Sequence, residues 1–165
     1  MLPVVVDLSV RIWCSGFCQR AIAFPDGVAL HVADITDTQV FDTLLPQVDG
    51  CFHLAAVVSV QLSMEEWLKA HDVNLWATLS LFDTVKRIRP DMPLVYASSA
   101  AVYGTLEVLP HSEEDRCVPL SMYGGDKLAC EMYARLAHMH YGIPSVGLRF
   151  FNVFGPRQDA SSPYS

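Results

Sequence analysis

Two features of the sequence predict an α/β fold built on a parallel sheet. Short β-rich apolar runs alternate with longer stretches of helical periodicity, and the links between them are short. Strands and helices in that order form parallel neighbours through right-handed crossovers. The strand candidates also read as continuous apolar runs bounded by turn residues, which suits strands buried on both faces.

In chain order, strands are expected at Val4–Asp7, Ala29–Asp34, Cys51–Ala55, Leu94–Ser98 and Val146–Phe150. A helix is expected over Glu65–Arg89, where Trp67, Val73, Leu75, Leu79, Phe82, Val85 and Ile88 recur at helical spacing and Pro90 ends the run. A second is expected over Asp126–Tyr141, with Leu128, Met132, Leu136 and Met139 on one side and Gly142 as its stop. The long link Thr105–Met122 is rich in acid, Pro and Ser. Val10–Phe24 fits no element, and its apolar content says only that it favours burial.

The 165 residues suffice for one domain with a real core, and 52% hydrophobic content marks a globular chain. No linker or repeat divides it, so 1–165 is read as a single domain. A net charge of −7 argues against general affinity for nucleic acid or an anionic membrane. An anionic small molecule stays compatible, because backbone donors bind phosphate in acidic proteins too. No apolar run reaches the ~18 residues of a membrane span. Met1–Val10 lacks a basic start and is interrupted by Asp7, unlike a signal peptide. Five cysteines, an odd number, read as reduced thiols and a cytoplasmic location. Cys14 and Cys18 have no second pair, so no metal is expected.

Three stretches in the second half fit one catalytic centre: LVYASSAAVYG at Leu94–Gly104, YGGDK at Tyr123–Lys127 and LRFFN at Leu148–Asn152. Ser99 ends an apolar strand, where ligands bind in open α/β sheets. Tyr123 and Lys127 are one helical turn apart and face the same way. A phenol is a poor base near pH 7, but a neighbouring ammonium favours phenolate. Such a pair exchanges a proton with a carbinol oxygen while hydride moves to a nicotinamide. Tyr and Lys at this spacing also occur on solvated helix faces. The Ser-rich strand end and the long polar loop between the two stretches favour the catalytic reading.

At these residues the chain resembles the extended short-chain dehydrogenase/reductase superfamily, in its NAD-dependent epimerase/dehydratase branch. The resemblance runs from about Ala29 onward, with a shorter match around Val4–Ser9. It implies a Rossmann-like doubly wound parallel sheet, NAD as cofactor and a nucleotide sugar as substrate. It implies that Ser99 orients the sugar hydroxyl, Tyr123 is the acid/base and Lys127 also holds the nicotinamide ribose. The 4,6-dehydratases of this branch place Asp-Glu after the hydroxyl residue, whereas this chain has Ala100 and Ala101. Methyl groups cannot act as acid and base, which leaves epimerisation or simple oxidoreduction. FFNVFGPRQD is most similar to UDP-hexose and UDP-N-acetylhexosamine 4-epimerases. By that similarity Asn152 contacts the substrate diphosphate and Phe150 lies near the nicotinamide. Core packing is the plain alternative for Phe150.

The same resemblance assigns Asp34 and Ile35 to the adenine ring, with helix capping the competing role for Asp34. It puts Leu54, Ala55 and Ala56, in HLAA, beneath the cofactor diphosphate. His53 by itself reads as a packed histidine. Asn74 matches a residue near the nicotinamide, although a buried amide can equally satisfy local backbone. Asp7 matches the acid that ends the family's second strand and binds the adenosine ribose. Related epimerases dimerise through the helices corresponding to 65–89 and 126–141.

The family's first βα unit, with its G-x-x-G-x-x-G turn, is missing. The only glycines before Asp34 are Gly16 and Gly27. Without that central strand, either Val4–Asp7 shifts inward or another segment fills its place. The chain also stops inside the match, so the small C-terminal substrate domain is expected to be absent. Three readings remain: a UDP-hexose 4-epimerase, a silent fragment serving at most as an assembly or binding module, or a related reductase or decarboxylase.

Overall fold

The computed structural model describes residues 3–7, 12–15, 28–105 and 109–155; for 3–7, 12–15, 28–30, 32 and 62 the backbone alone is described. Six strands form one sheet: β1 Pro3–Asp7, β2 Ile12–Ser15, β3 Val28–Val32, β4 Gly50–His53, β5 Leu94–Ser99 and β6 Ser145–Phe150. Their order is β3-β1-β2-β4-β5-β6. The pairs β2–β4, β4–β5 and β5–β6 are parallel, while β1 is antiparallel to both its neighbours.

β2 was not expected. It lies beside β4 and fills the position left by the missing first unit. β1 and β2 are too close in sequence for a parallel crossover, which takes a dozen or more residues, so as neighbours they pair antiparallel. Two other strands end earlier than the apolar runs suggested. β3 stops at Val32 and β4 at His53, leaving Asp34 in a turn and Leu54–Ala56 in the loop after the strand.

The helices are α1 Gln39–Leu44, α2 Val60–Glu65, α3 Trp67–His71, α4 Ala77–Ile88 and α5 Met122–Tyr141. A π-helical segment, Asp72–Trp76, joins α3 to α4. The single expected helix over Glu65–Arg89 is therefore broken in phase. The wider π turn rotates α4 relative to α3, leaving Trp67 51% and Trp76 56% exposed while Leu75 and Phe82 are buried. α5 begins earlier than expected because Ser121 caps it, its Oγ accepting from the Gly124 N–H at 3.1 Å. It ends at Gly142, whose φ of 72° is the left-handed stop.

α5 turns a different side inward from the one its large apolar residues suggested. Gly124, Cys130, Ala134 and Ala137 are buried, whereas Met132, Leu136 and Met139 are exposed. Small residues let the helix lie close to the sheet, and the volume is filled from elsewhere. Among the described residues Phe41, Leu45, Leu81, Phe82, Val85, Leu94, Tyr96 and Ile143 belong to one core. That core lies against one face of β4 and β5. On the other face Phe52, Leu54, Val146, Leu148 and Phe150 remain exposed.

Candidate active site

Ser98 and Ser99 are adjacent in a strand, so their side chains go to opposite faces. Ser98 is buried, and its hydroxyl donates to the Glu131 carboxylate. Ser99 faces the other way and caps the 3₁₀ turn Ala100–Val102, its Oγ accepting from the Ala101 N–H at 3.2 Å. The β5–β6 register sets Ser99 beside Phe150 and Ser98 beside Arg149. The hydroxyl and the aromatic ring thus share the open face.

The start of α5 presses on the turn after Ser99. A Cβ at Gly124 would lie 2.6 Å from the Ala101 carbonyl oxygen, so glycine permits this approach. Tyr123 and Lys127 are carried into the same space. Lys127 is 3% exposed, with Nζ 5.8 Å from the centroid of the Tyr123 ring. Burial holds its ammonium below the ordinary lysine value, against the pull of Cys130 and Asp126. A partly desolvated cation beside a phenol is what stabilises a phenolate.

These elements enclose a crevice of about 890 Å³. Ser99, Tyr123, Lys127, Phe150 and Asn152 all line it, together with Leu54 and Ala56. Phe150 is 40% exposed, so it forms a crevice wall and not core packing. Val58, Phe151 and Val153 extend the apolar wall and were missed in the sequence.

Other expected site residues lie elsewhere. Ala55 and Ile35 are buried in the core. Asn74 is fully buried, its Oδ1 accepting from Val57 N at 2.8 Å and its Nδ2 donating to Val57 O at 3.2 Å. It holds the loop that carries Leu54 and Ala56. Asp34 sits in an exposed turn, and its carboxylate accepts from the Thr36 backbone and hydroxyl. Those two bonds keep its pKa below the ordinary range. Asp7 ends β1, which runs opposite to the parallel strands, so its backbone lies level with Ile12 and Gly50 at the sheet edge away from the crevice, and not beside the cofactor as expected; its side chain lies outside the described residues.

His53 is packed, as expected. Its Nε2 lies 3.0 Å from Thr78 Oγ1, and Thr78 donates onward to the Asn74 carbonyl. Burial, with Lys127 nearby, pushes its pKa down to about 3, so the imidazole is neutral. His71, just before the π segment, contacts the buried Asp126 at 2.8 Å and links α3 to the turn of α5 that carries Lys127.

A strand-end hydroxyl, a phenol, an ammonium and an apolar wall thus line one crevice on a Rossmann-like sheet. Residues 18–164 match the family model described as GDP-mannose 4,6 dehydratase, and the chain belongs to that NAD-dependent epimerase/dehydratase family. It is 33% identical over 141 residues to UDP-glucuronate 4-epimerase 4 of Arabidopsis thaliana, covering 84% of this chain and 32% of that relative. It is 35% identical to UDP-glucose 4-epimerase of Lacticaseibacillus casei, covering 79% and 40% respectively. Among solved structures, a UDP-N-acetylglucosamine 4-epimerase from Methanobrevibacter ruminantium superposes with a TM-score of 0.74 at 40% identity, over 81% of this chain and 42% of that one. A Thermus thermophilus UDP-glucose 4-epimerase in complex with NAD gives 0.74 at 31% identity, over 80% and 43%. The chain thus spans well under half the length of these relatives.

Proposed function

We propose that this crevice is the reaction centre of an NAD-dependent UDP-hexose 4-epimerase. The observation that carries the reading is the convergence of Ser99, Tyr123, Lys127, Phe150 and Asn152 on one cavity. Tyr123 takes the proton of the sugar 4-hydroxyl and later returns it. Ser99 donates a hydrogen bond to the same oxygen and fixes its direction. Lys127 lowers the phenol's pKa and holds the nicotinamide ribose. Asn152 contacts the substrate diphosphate, and Phe150 closes the wall. NAD held beside Tyr123 and Lys127 would supply a reversible hydride acceptor for the sugar C4, the chemistry that inversion at that carbon needs. Ala100 and Ala101 offer no acid or base for loss of water, which favours epimerisation over dehydration in a family whose model is named for a dehydratase.

The donor set fits the nicotinamide end of the cofactor: a buried ammonium, a phenol and apolar walls from Leu54 and Phe150. Asp34 suits the adenosine end as an exposed carboxylate, whereas Asp7, at the opposite sheet edge, does not share that end. Ile35, Ala55 and Asn74 would act through backbone or through the loop that Asn74 holds. Pyrophosphate is the weak point, because the glycine-rich turn is absent from the sequence. That absence favours the second reading, a silent module of the same family.

The exposed Trp67, Trp76, Met132, Leu136 and Met139 on the helices support a homodimer through α3–α4 and α5. Cys117 and Cys130 are free thiols, which fits a cytoplasmic location. Among the described residues no helix is long and apolar enough to cross a membrane.

Titration of the purified chain with NAD, followed by calorimetry, tests the reading. Saturable binding is expected, with Tyr123→Phe retaining NAD affinity and losing conversion of UDP-glucose to UDP-galactose. No binding at millimolar NAD selects the silent module. A fully active Tyr123→Phe removes Tyr123 from the acid/base role.

A further inference from the structure

We infer that Glu131, Arg149 and Ser98 form a brace behind the crevice that sets its three supporting elements relative to one another. Arg149 engages Glu131 through a two-pronged pair, Nε to Oε1 at 2.9 Å and a terminal nitrogen to Oε2 at 2.7 Å. Its other terminal nitrogen donates to the Tyr103 hydroxyl at 3.0 Å and the Glu113 carbonyl at 3.1 Å. Glu131 Oε1 also accepts from the Ser98 hydroxyl. The Arg149 and Glu131 side chains are 20% and 17% exposed, so the pair is shielded and directional.

Each member adjoins a crevice residue. Ser98 precedes Ser99 in β5, and Arg149 precedes Phe150 in β6. Because strand side chains alternate, anchoring Ser98 and Arg149 on the helix face directs Ser99 and Phe150 to the open face. Glu131 lies one turn beyond Lys127 on α5. One carboxylate therefore ties together the elements that carry Ser99, Tyr123 with Lys127, and Phe150 with Asn152. Ser98 borders the crevice beside Ser99, but its hydroxyl is committed to Glu131, so the three are positioning residues. A one-pronged cation cannot replace the fork, since lysine keeps the charge and loses the planar geometry.

Their functional meaning rests on the epimerase reading, so the test reads geometry first. Amide hydrogen exchange is compared in the wild-type chain, in Glu131→Gln, and in Glu131→Gln combined with Arg149→Met, which leaves no unpaired charge. The Ala101 amide reports directly on Ser99, because it donates to Ser99 Oγ. Exchange at Ala101, Phe151 and Asn152 is expected to rise about tenfold or more, while Leu81–Val85 in α4 stays unchanged. Arg149→Lys is expected to fall between wild type and Glu131→Gln. Uniform acceleration across the chain, no acceleration, or loss of fold in both variants overturns the brace. If the wild-type chain binds NAD, the double variant loses about tenfold or more in affinity, as a misplaced site should; unchanged affinity also overturns it. If wild type binds no NAD, the proposed reaction fails, and the exchange pattern still judges the brace by itself.

Discussion

His53 is the residue whose sequence reading and structural setting agree most directly. A histidine in an apolar strand is ordinarily packed, and this one is 3% exposed with Thr78 as its partner. Its folded pKa of about 3 lies below the ordinary 6.5, so the fold holds it neutral. The stability that depends on neutrality is fully present above pH 6.5 and is lost as pH falls toward 3. The slope from this one group is about 1.4 kcal/mol per pH unit. His53→Gln is expected to flatten the urea-unfolding stability profile between pH 6.5 and about 5, above the carboxylate range; an unchanged slope there refutes the assignment. Ser99, Tyr123 and Lys127 could be expected to share one crevice because each has a recognisable neighbour pattern, and all three line it. Asn74 was ambiguous because a buried amide says that it has partners without saying which. Glu131 and Arg149 were passed over, although an arginine within the apolar strand of LRFFN was a usable signal: a charge there requires a partner.

At the scale of elements, the start of α5 depends on a contact that periodicity does not report. Gly124 lies against the Ala101 carbonyl oxygen and Pro119, where an added Cβ would stand 2.6 Å and 3.0 Å away. Gly124→Ala is expected to lower stability by about 1–3 kcal/mol despite alanine's better helix propensity, because the rigid turn cannot retreat. Thermal unfolding checks this: a rise in midpoint would mean that α5 shifts freely and that Tyr123 is not held by the contact. Gly125, with nothing near its Cβ position, is the control, and Gly125→Ala is expected to be neutral or stabilising. Helix existence was clear from spacing, but helix facing was not. The large residues of α5 form a plausible inward stripe, yet the helix buries its small ones. The π segment at Asp72–Trp76 likewise shifts the phase of the preceding helix, an effect that a fixed 3.6-residue period cannot represent.

For the whole molecule, the proposed homodimer rests on the apolar surface left on the helices. Leu136→Glu on the exposed side of α5 is expected to convert a dimer to monomer while leaving the circular dichroism spectrum intact. Sedimentation velocity decides this, and a wild-type chain that stays monomeric at every concentration removes the homodimer. The α/β class was readable from the chain alone because it depends on local spacing and residue type, and the family was readable because the quoted motifs resemble its own. The missing glycine turn was readable too, since an absent motif is a local fact. The occupant of the central position was not: it took the folded arrangement to place β2 beside β4, with β1 reversed between β2 and β3. The same holds for which face of each strand meets the crevice and which meets Glu131. Strand pairing, helix facing and ion pairing are long-range choices, settled by which arrangement buries the most surface while leaving the fewest polar groups unpaired.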